Sequence, residues 1–271
     1  MKTQTLTLTN FNGREFKIHT YITDHNPDLL MKKQGLVIVI PGGSFVHLSA
    51  RESEPVALNY NAHGYNCVVM EYNLIQDVGT IYPDAGLNVL STVQYFREHA
   101  QEYNIDPEKI ITLGFSAGGH VASSANTMAN FVNYSKEYNF DPKVVRPNAT
   151  ILGYPLIDVN KIGFPIPEDQ MKDMPSEPEL QNSALGVTRE TPPTFIFQAW
   201  DDPIVLIGNS IEYIAALNKH HVNCEAHLFD HGKHGFSLAR FETSQEMYQT
   251  NPHAAHWFEL SLEWLNDRFK E

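Results

Sequence analysis

One serine, Ser116, stands at the centre of a G-x-S-x-G pattern (residues 114–118), between a short apolar run and a stretch of small residues. The apolar run, 109–113, predicts a buried strand, and residues 119–125 are small enough to begin a helix packed closely against a sheet. A serine at such a strand–turn–helix junction has a strained backbone, for which the flanking glycines leave room. Because the helix start directs N–H groups at the serine, the pattern predicts Ser116 as a catalytic nucleophile.

Apolar runs that predict strands alternate with helix-like segments along most of the chain. We expect strands at residues 36–40, 67–72, 109–113, 150–155, 194–198 and 224–229, and helices at 51–63, 83–103, 209–217 and 256–269. Continuous apolar strands are typical of a parallel sheet whose two faces are both covered by helices. The pattern predicts one α/β domain over residues 1–271, with a mostly parallel central sheet.

Three segments depart from this alternation. Residues 3–23 alternate apolar and polar side chains around Asn12-Gly13, which predicts a hairpin with positive φ at that pair. Residues 104–107 contain Asp and Pro and predict a turn. Residues 158–193 are rich in proline, methionine and acidic residues, and we interpret them as a small cap-like insertion of short helices and loops.

A serine hydroxyl is a weak nucleophile and needs a base, which a histidine oriented by a carboxylate supplies well. Of the 13 histidines, His234 follows the predicted strand 224–229 and precedes a glycine that lets a loop carry the ring over the serine. His231 is the nearest rival, and we favour His234 because it has the longer reach from the strand. His120, in the helix after Ser116, is interpreted as a packing or pocket-lining residue.

The carboxylate is expected after the strand 194–198, where Asp201 and Asp202 are adjacent. We favour Asp202, because with Val205 it matches a D-x-x-V pattern, and we interpret Asp201 as an exposed or loop-capping residue. Asp158, which follows the preceding strand, is an alternative acid, and its other interpretation is a cap of the insertion.

An oxyanion formed at the serine would need backbone N–H donors nearby. Residues 41–45 follow the strand 36–40 and contain two glycines, which let the backbone approach a substrate closely. We therefore predict an oxyanion hole built by Gly43, Ser44 and Ala117.

The formal net charge is −13, and the acidic residues are scattered rather than clustered in one run. Repulsion from phosphates and anionic lipids argues against nucleic acid and membrane partners. No apolar run reaches the ~18–20 residues of a membrane span, and the N-terminus lacks the core of a signal peptide. Cys67 and Cys224 lie in apolar strand-like segments, which indicates two buried thiols in a reducing compartment. We therefore expect a cytoplasmic protein.

Histidine pairs spaced H-x-x-H occur at His231 and His234 and at His253 and His256. Neither pair has a third ligand nearby in sequence, so we predict no metal site. Serine-based chemistry also requires no cofactor.

These motifs resemble those of the α/β-hydrolase esterases, and more narrowly those of small bacterial acetyl esterases, carbohydrate (xylan) acetyl esterases and feruloyl-esterase-like proteins. The resemblance runs from Leu36 to the C-terminus and rests on Pro41-Gly42-Gly43, residues 51–57, Tyr82-Pro83, residues 114–120, Gly153-Tyr154-Pro155 and His234-Gly235. It implies an α/β-hydrolase fold with the catalytic serine, acid and histidine at Ser116, Asp202 and His234. The chain departs from the lipase-type H-G-G-G motif, since a proline replaces its histidine and a serine its last glycine.

The resemblance implies a serine carboxylesterase that takes short-chain, acetyl-type esters of small molecules, including acetylated sugars. A peptidase or lactone-type hydrolase on the same fold, or an inactive ligand-binding homologue, are the alternatives. Phe45, Tyr82 and Trp200 are candidate walls of the substrate pocket, although each could equally be a residue of the hydrophobic core. Residues 158–193 are a candidate lid or acyl-pocket wall. The apolar insertion and C-terminal helix would also suit a homo-oligomer.

Overall fold

The computed structural model describes residues 1–24, 28, 30, 33–163 and 172–270. In this part of the chain the strands are β1 (Lys2–Thr9), β2 (Glu15–Ile22), β3 (Gln34–Ile40), β4 (Tyr65–Glu71), β5 (Ile105–Phe115), β6 (Ala149–Gly153), β7 (Thr194–Ala199) and β8 (Cys224–Phe229). They form one sheet in the order β1-β2-β4-β3-β5-β6-β7-β8. β2 pairs antiparallel with β1 and β4, and the other neighbours pair in parallel. The predicted α/β class with a mostly parallel sheet is confirmed.

The helices of the described residues are α1 (Glu54–Ala62), α2 (Asp84–Glu98), α3 (Ala117–Asn130), α4 (Val132–Glu137), α5 (Pro142–Val145), α6 (Pro178–Gln181), α7 (Gly208–Lys219) and α8 (Trp257–Arg268). Buried side chains form two clusters, to which α2, α3 and α7 contribute on one side and α1 and α8 on the other. In β3, Ile38 belongs to the first cluster, whereas Val37 and Val39 belong to the second. Because successive side chains of a strand point to opposite faces, burial on both faces explains the continuous apolar runs.

The helices are short compared with the thickness of a lipid bilayer. α2, with 15 residues, is the longest of them within the described ranges. None of these described helices has the length and apolarity needed to cross a membrane.

The N-terminal hairpin forms as predicted, but its turn differs. Residues 10–14 link β1 to β2, and within this loop Gly13 has a φ of 80°. The Asn10 side chain accepts hydrogen bonds from the N–H groups of Asn12 and Arg14. The predicted positive φ at Asn12 is wrong, because the Asn10 side chain organises a longer loop that needs left-handed backbone at the glycine alone.

Two predicted boundaries near the serine strand are also wrong. β5 begins at Ile105, inside the predicted turn 104–107, because this side chain is fully buried. The strand pairs with β3 at Ile105 and again from Ile110, so the residues between them bulge out of the ladder. The helix predicted to reach residue 103 ends at Glu98.

The insertion predicted at 158–193 is described in part, since residues 164–171 lie outside the described residues. The remainder contains α6 and a 3₁₀ turn, Ser183–Gly186. The Ser183 hydroxyl donates a hydrogen bond to the Ser123 hydroxyl in α3 over 2.7 Å. This part of the insertion is therefore joined to the helix that follows the serine, and its role as a lid stays a prediction.

The two cysteines are not disulfide-bonded. Cys67 is buried in β4, whereas Cys224 is half-buried at the start of the edge strand β8. The prediction of a buried thiol is therefore wrong for Cys224, because an edge strand has a neighbour on one side only. Burial still raises the pKa of the Cys224 thiol to about 11.

Asn209 joins the first turn of α7 to the segment that follows β6. Its side-chain oxygen accepts hydrogen bonds from the N–H groups of Ile157 and Asp158, each over 2.9 Å. Its amide nitrogen donates to the carbonyls of Lys161 and Leu206. The Asn209 side chain is fully buried, and its bonds to Ile157 and Asp158 are buried as well, so water cannot readily replace it there.

We predict that Asn209→Ala lowers the free energy of unfolding by about 3 kcal/mol, because it leaves buried backbone groups without partners. Urea denaturation would measure this loss. Asn218→Ala, at an exposed position of the same helix, is the matched control and should change stability by less than about 0.5 kcal/mol. Equal stability of the two variants would contradict the role given to Asn209.

Candidate active site

Ser116 lies between the last residue of β5 and the first residue of α3. Its φ of 51° and ψ of −120° are unfavourable for a residue with a side chain and cost on the order of 1–3 kcal/mol. The surrounding backbone holds this conformation: the Ser116 N–H donates to the Gly153 carbonyl, and the Ser116 carbonyl accepts from Gly119, His120 and Leu156. The backbone therefore presents the serine side chain at a sharp turn, as the sequence pattern predicts.

Close backbone packing explains the glycines on both sides of the serine. A Cβ atom on Gly114 would lie 2.4 Å from the Gly118 carbonyl oxygen. A Cβ atom on Gly118 would lie 2.1 Å from the carbonyl oxygen of Ile40 in β3. Neither position can hold a side chain unless α3 moves away from the sheet.

The structure brings Ser116, His234 and Asp202 into one hydrogen-bonded chain. Ser116 Oγ lies 2.9 Å from His234 Nε2, and His234 Nδ1 lies 2.7 Å from Asp202 Oδ2. Because a carboxylate only accepts hydrogen bonds, Nδ1 carries the hydrogen of a neutral imidazole and Nε2 is left to accept from the serine hydroxyl. The Asp202 side chain is fully buried and the His234 side chain is 16% exposed. This arrangement can remove a proton from the serine.

A tight turn after β7 explains the D-x-x-V spacing at Asp202. Its Oδ1 atom accepts hydrogen bonds from the N–H groups of Ile204 and Val205, at 2.9 and 3.0 Å. These bonds occupy one carboxylate oxygen and leave the other for the histidine. Gln198, at 3.4 Å from that second oxygen, adds a weaker contact.

The rival residues have other partners in the described structure. Asp201 accepts hydrogen bonds from the N–H groups of Gly232 and Lys233, so it caps the loop that carries the histidine. His231 has a side chain that is 65% exposed and pairs with the neighbouring Asp230. Asp158 accepts from Asn160 and Asn182 and pairs with Lys161, all within the insertion.

The loop after β3 forms a left-handed turn beside the serine. Gly43, Ser44 and Phe45 have φ values of 127°, 56° and 62°. The Gly43 carbonyl accepts hydrogen bonds from Val46 and His47, which closes the turn. In the part of the chain that the structure describes, no acceptor takes the N–H groups of Gly43 and Ser44. Successive free N–H groups in such a turn form a concave site for an anion.

Phe45 and Tyr82 belong to a buried aromatic cluster, whereas Trp200 is 58% exposed. The Phe45 and Tyr82 rings meet edge to face with centroids 6.4 Å apart, and both contact His120, one helical turn after Ser116. His120 Nδ1 lies 2.5 Å from the Tyr82 hydroxyl. Burial lowers the pKa of His120 to about 4, so this imidazole is uncharged at neutral pH.

Sequence reasoning missed Glu52 and Tyr154 as parts of the site. Glu52 is 2% exposed, and its carboxylate accepts hydrogen bonds from the Gly42 N–H and the Tyr154 hydroxyl. The Tyr154 ring packs edge to face against the His234 ring, with centroids 5.1 Å apart. Both residues lie in motifs that carry the family resemblance, residues 51–57 and 153–155. That resemblance was a signal for their positions, whereas their burial and mutual contact come only from the fold.

The described ranges contain no cluster of side chains suited to binding a metal ion. Within residues 1–24, 28, 30, 33–163 and 172–270, no three His, Cys, Asp or Glu side chains are placed to hold one metal ion.

The sheet order and the serine junction define an α/β hydrolase. The chain belongs to the family described as BD-FAE, which matches residues 25–217. The carboxylesterase Cest-2923 from Lactobacillus plantarum WCFS1 has a similar structure, with a TM-score of 0.92 and 32% identity, over 99% of this chain and 98% of that one.

The chain spans less than half the length of two sequence relatives that it matches. An endo-1,4-beta-xylanase B from Butyrivibrio fibrisolvens is 30% identical over 80% of this chain, and an acetylxylan esterase from Xylanibacter ruminicola is 31% identical over 74% of it. The matched regions cover 34% and 41% of these relatives. The expected resemblance to α/β-hydrolase esterases is confirmed, since homologues and structural neighbours carry carboxylesterase and acetylxylan esterase names.

We predict that Gly118→Ala lowers the free energy of unfolding by about 3 kcal/mol or more, because its Cβ would collide with the backbone of β3. Gly208→Ala is the matched control, since a Cβ there meets nothing within 4 Å. That variant should be as stable as the wild type or gain up to about 1 kcal/mol. Urea denaturation would measure the free energy of unfolding of both variants. A Gly118→Ala variant as stable as the wild type would contradict the packing argument.

Proposed function

We propose that this protein is a serine carboxylesterase that hydrolyses short-chain esters, chiefly acetyl esters. The observation that carries the proposal is the hydrogen-bonded chain from Ser116 through His234 to Asp202. A hydroxyl, an imidazole and a buried carboxylate in this order are the groups that acyl transfer through a covalent intermediate needs.

In the proposed reaction, Ser116 Oγ attacks the ester carbonyl carbon while His234 Nε2 takes the hydroxyl proton. Asp202 keeps the imidazole in the required tautomer and stabilises the imidazolium that forms. When the tetrahedral intermediate collapses, His234 gives the proton to the departing alcohol oxygen, which leaves an acyl group on the serine. Water then attacks this acyl group with the same histidine as base, and the acid and free serine are released.

The oxyanion of the tetrahedral intermediate needs donors that are in place before the reaction. We assign this role to the N–H groups of Gly43 and Ser44 and to that of Ala117, the first residue of α3. The left-handed turn supports the assignment, because it leaves the first two groups without an acceptor in the described structure. Each such donor contributes on the order of 2.7–4 kcal/mol to lowering the barrier.

The aromatic cluster around Phe45 supports the proposed preference for a small acyl group. Phe45 extends from the proposed oxyanion loop and is 3% exposed, because it packs against Tyr72, Tyr82 and His120. Because this packed aromatic cluster begins in the loop that would hold the oxyanion, we expect it to limit the room for a long acyl chain. The relatives named acetylxylan esterase and xylanase support a sugar as the alcohol part of the substrate.

We predict that p-nitrophenyl acetate is hydrolysed and that turnover falls steeply beyond the butyryl ester, because longer chains meet the aromatic cluster. Ser116→Ala should lower kcat about 10⁶-fold, since the nucleophile is lost. Release of acetate from acetylated xylo-oligosaccharides would test the sugar substrate. Turnover retained in Ser116→Ala would overturn the proposed mechanism. Peptide or lactone turnover without ester turnover would favour another hydrolase reaction, and no turnover and no fluorophosphonate labelling would favour a binding role.

We predict that Asp202→Asn lowers kcat about 10⁴-fold with little change in KM, because the amide no longer fixes the reactive tautomer of His234. Asp230→Asn is the matched control: this carboxylate lies in the histidine loop, but its side chain is 83% exposed and contacts His231. Steady-state kinetics on p-nitrophenyl acetate would compare the two. A loss of similar size in both variants would show that Asp202 has no special role.

A further inference from the structure

Glu52 places a buried carboxylate behind the proposed nucleophile. Its Oε2 atom accepts a hydrogen bond from the Gly42 N–H over 2.9 Å. A Cβ atom on Gly42 would lie 2.8 Å from Glu52 Oε2 and 2.8 Å from Ser116 Cβ. The carboxylate is therefore separated from the serine by the backbone of one glycine.

The second oxygen of Glu52 connects to the loop that carries His234. Oε1 accepts a hydrogen bond from the Tyr154 hydroxyl over 2.7 Å, and that hydroxyl accepts from the Ser237 N–H over 2.9 Å. Burial, together with the nearby carboxylate, raises the pKa of the Tyr154 phenol, so it remains a donor. Tyr154 thereby links Glu52 to the backbone three residues after His234 and packs against the His234 ring itself.

Arg51 closes the same network from the other side. Its Nε atom donates to the Gly235 carbonyl over 2.9 Å, and its carbonyl accepts from the Ser237 hydroxyl over 2.6 Å. Its Nη2 atom lies 3.7 Å from Glu52 Oε1. The loop before α1 and the histidine loop are thus held by the same few polar groups.

The buried Glu52 carboxylate is poor evidence for added stability, because the free-energy cost of removing a carboxylate from water can cancel the gain from its hydrogen bonds. What it does provide is one defined geometry, because each partner has a fixed direction. We propose that Glu52 is a positioning residue, which couples the oxyanion loop to the histidine loop through Gly42 and Tyr154. This inference rests on the proposed esterase function, because the two loops supply the oxyanion donors and the base of that reaction.

The test compares Glu52→Gln, Tyr154→Phe and the double variant, using p-nitrophenyl acetate and kcat per site titrated with a fluorophosphonate. Glu52→Gln has one acceptor oxygen for two donors, and we expect kcat to fall about 10–100-fold while KM changes less than about threefold. Tyr154→Phe should lower kcat about tenfold. The double variant should be close to Glu52→Gln alone, because both changes break one unit.

Tyr60→Phe is the matched control, since the Tyr60 side chain is fully buried and its hydroxyl bonds to Ser261 over 2.6 Å. Its kcat per titrated site should equal that of the wild type. The proposal is overturned if Tyr60→Phe and Tyr154→Phe lose kcat equally, if Glu52→Gln or Tyr154→Phe keeps the wild-type kcat, or if the double variant multiplies the two effects. If Glu52→Gln does not fold, the comparison of kcat between Tyr154→Phe and Tyr60→Phe tests the proposal by itself.

Turnover of Ser116→Ala distinguishes a failure of the Glu52 proposal from a failure of the proposed esterase function. If that variant retains turnover, the esterase mechanism fails and the role of Glu52 fails with it. If that variant is inactive while Glu52→Gln keeps the wild-type kcat, only the role of Glu52 is overturned.

Discussion

The close approach of α3 to the ends of β3 and β5 is the constraint on which the rest of the site depends. At Gly118 the helix lies so near β3 that an added Cβ would be 2.1 Å from the Ile40 carbonyl oxygen. The chain must therefore reverse within one residue, and Ser116 takes up the strain at a φ of 51°. The same approach places the first turn of α3 beside the start of the loop after β3, since the added Cβ on Gly118 would also be 2.5 Å from the Pro41 carbonyl oxygen.

The parallel arrangement then brings distant parts of the chain to one space beside Ser116. Ser116 follows β5, Asp202 follows β7 and His234 follows β8, and parallel strands deliver their carboxyl ends to one edge of the sheet. The serine and histidine, 118 residues apart in sequence, meet through one hydrogen bond. Short-range hydrogen bonds then orient the two side chains. Asp202 accepts from the Val205 N–H within its own turn, and Asp201 accepts from the Gly232 N–H in the loop that carries the histidine.

Buried groups of two kinds surround this space. Phe45, Tyr82 and His120 form an aromatic cluster, in which burial lowers the pKa of His120 to about 4. Glu52 and Asp202 are buried carboxylates, which accept hydrogen bonds from the Gly42 N–H and from the imidazole. Both kinds suit the proposed reaction, because an acyl group needs apolar surroundings and the base needs a carboxylate.

The sequence by itself determined the sheet class, most strand positions, the junction at Ser116 and the pairing of Asp202 with Val205. These follow from local periodicity, glycine spacing and side chains bonding to backbone two or three residues away, which a single segment already contains. It left His231 as a rival of His234, it assigned no role to Glu52 or Tyr154 although both lie in motifs of the resemblance, and it did not predict the left-handed turn at Ser44 and Phe45. Only the tertiary structure decided these, because which polar groups share a buried space depends on how strands far apart in sequence are ordered in the sheet.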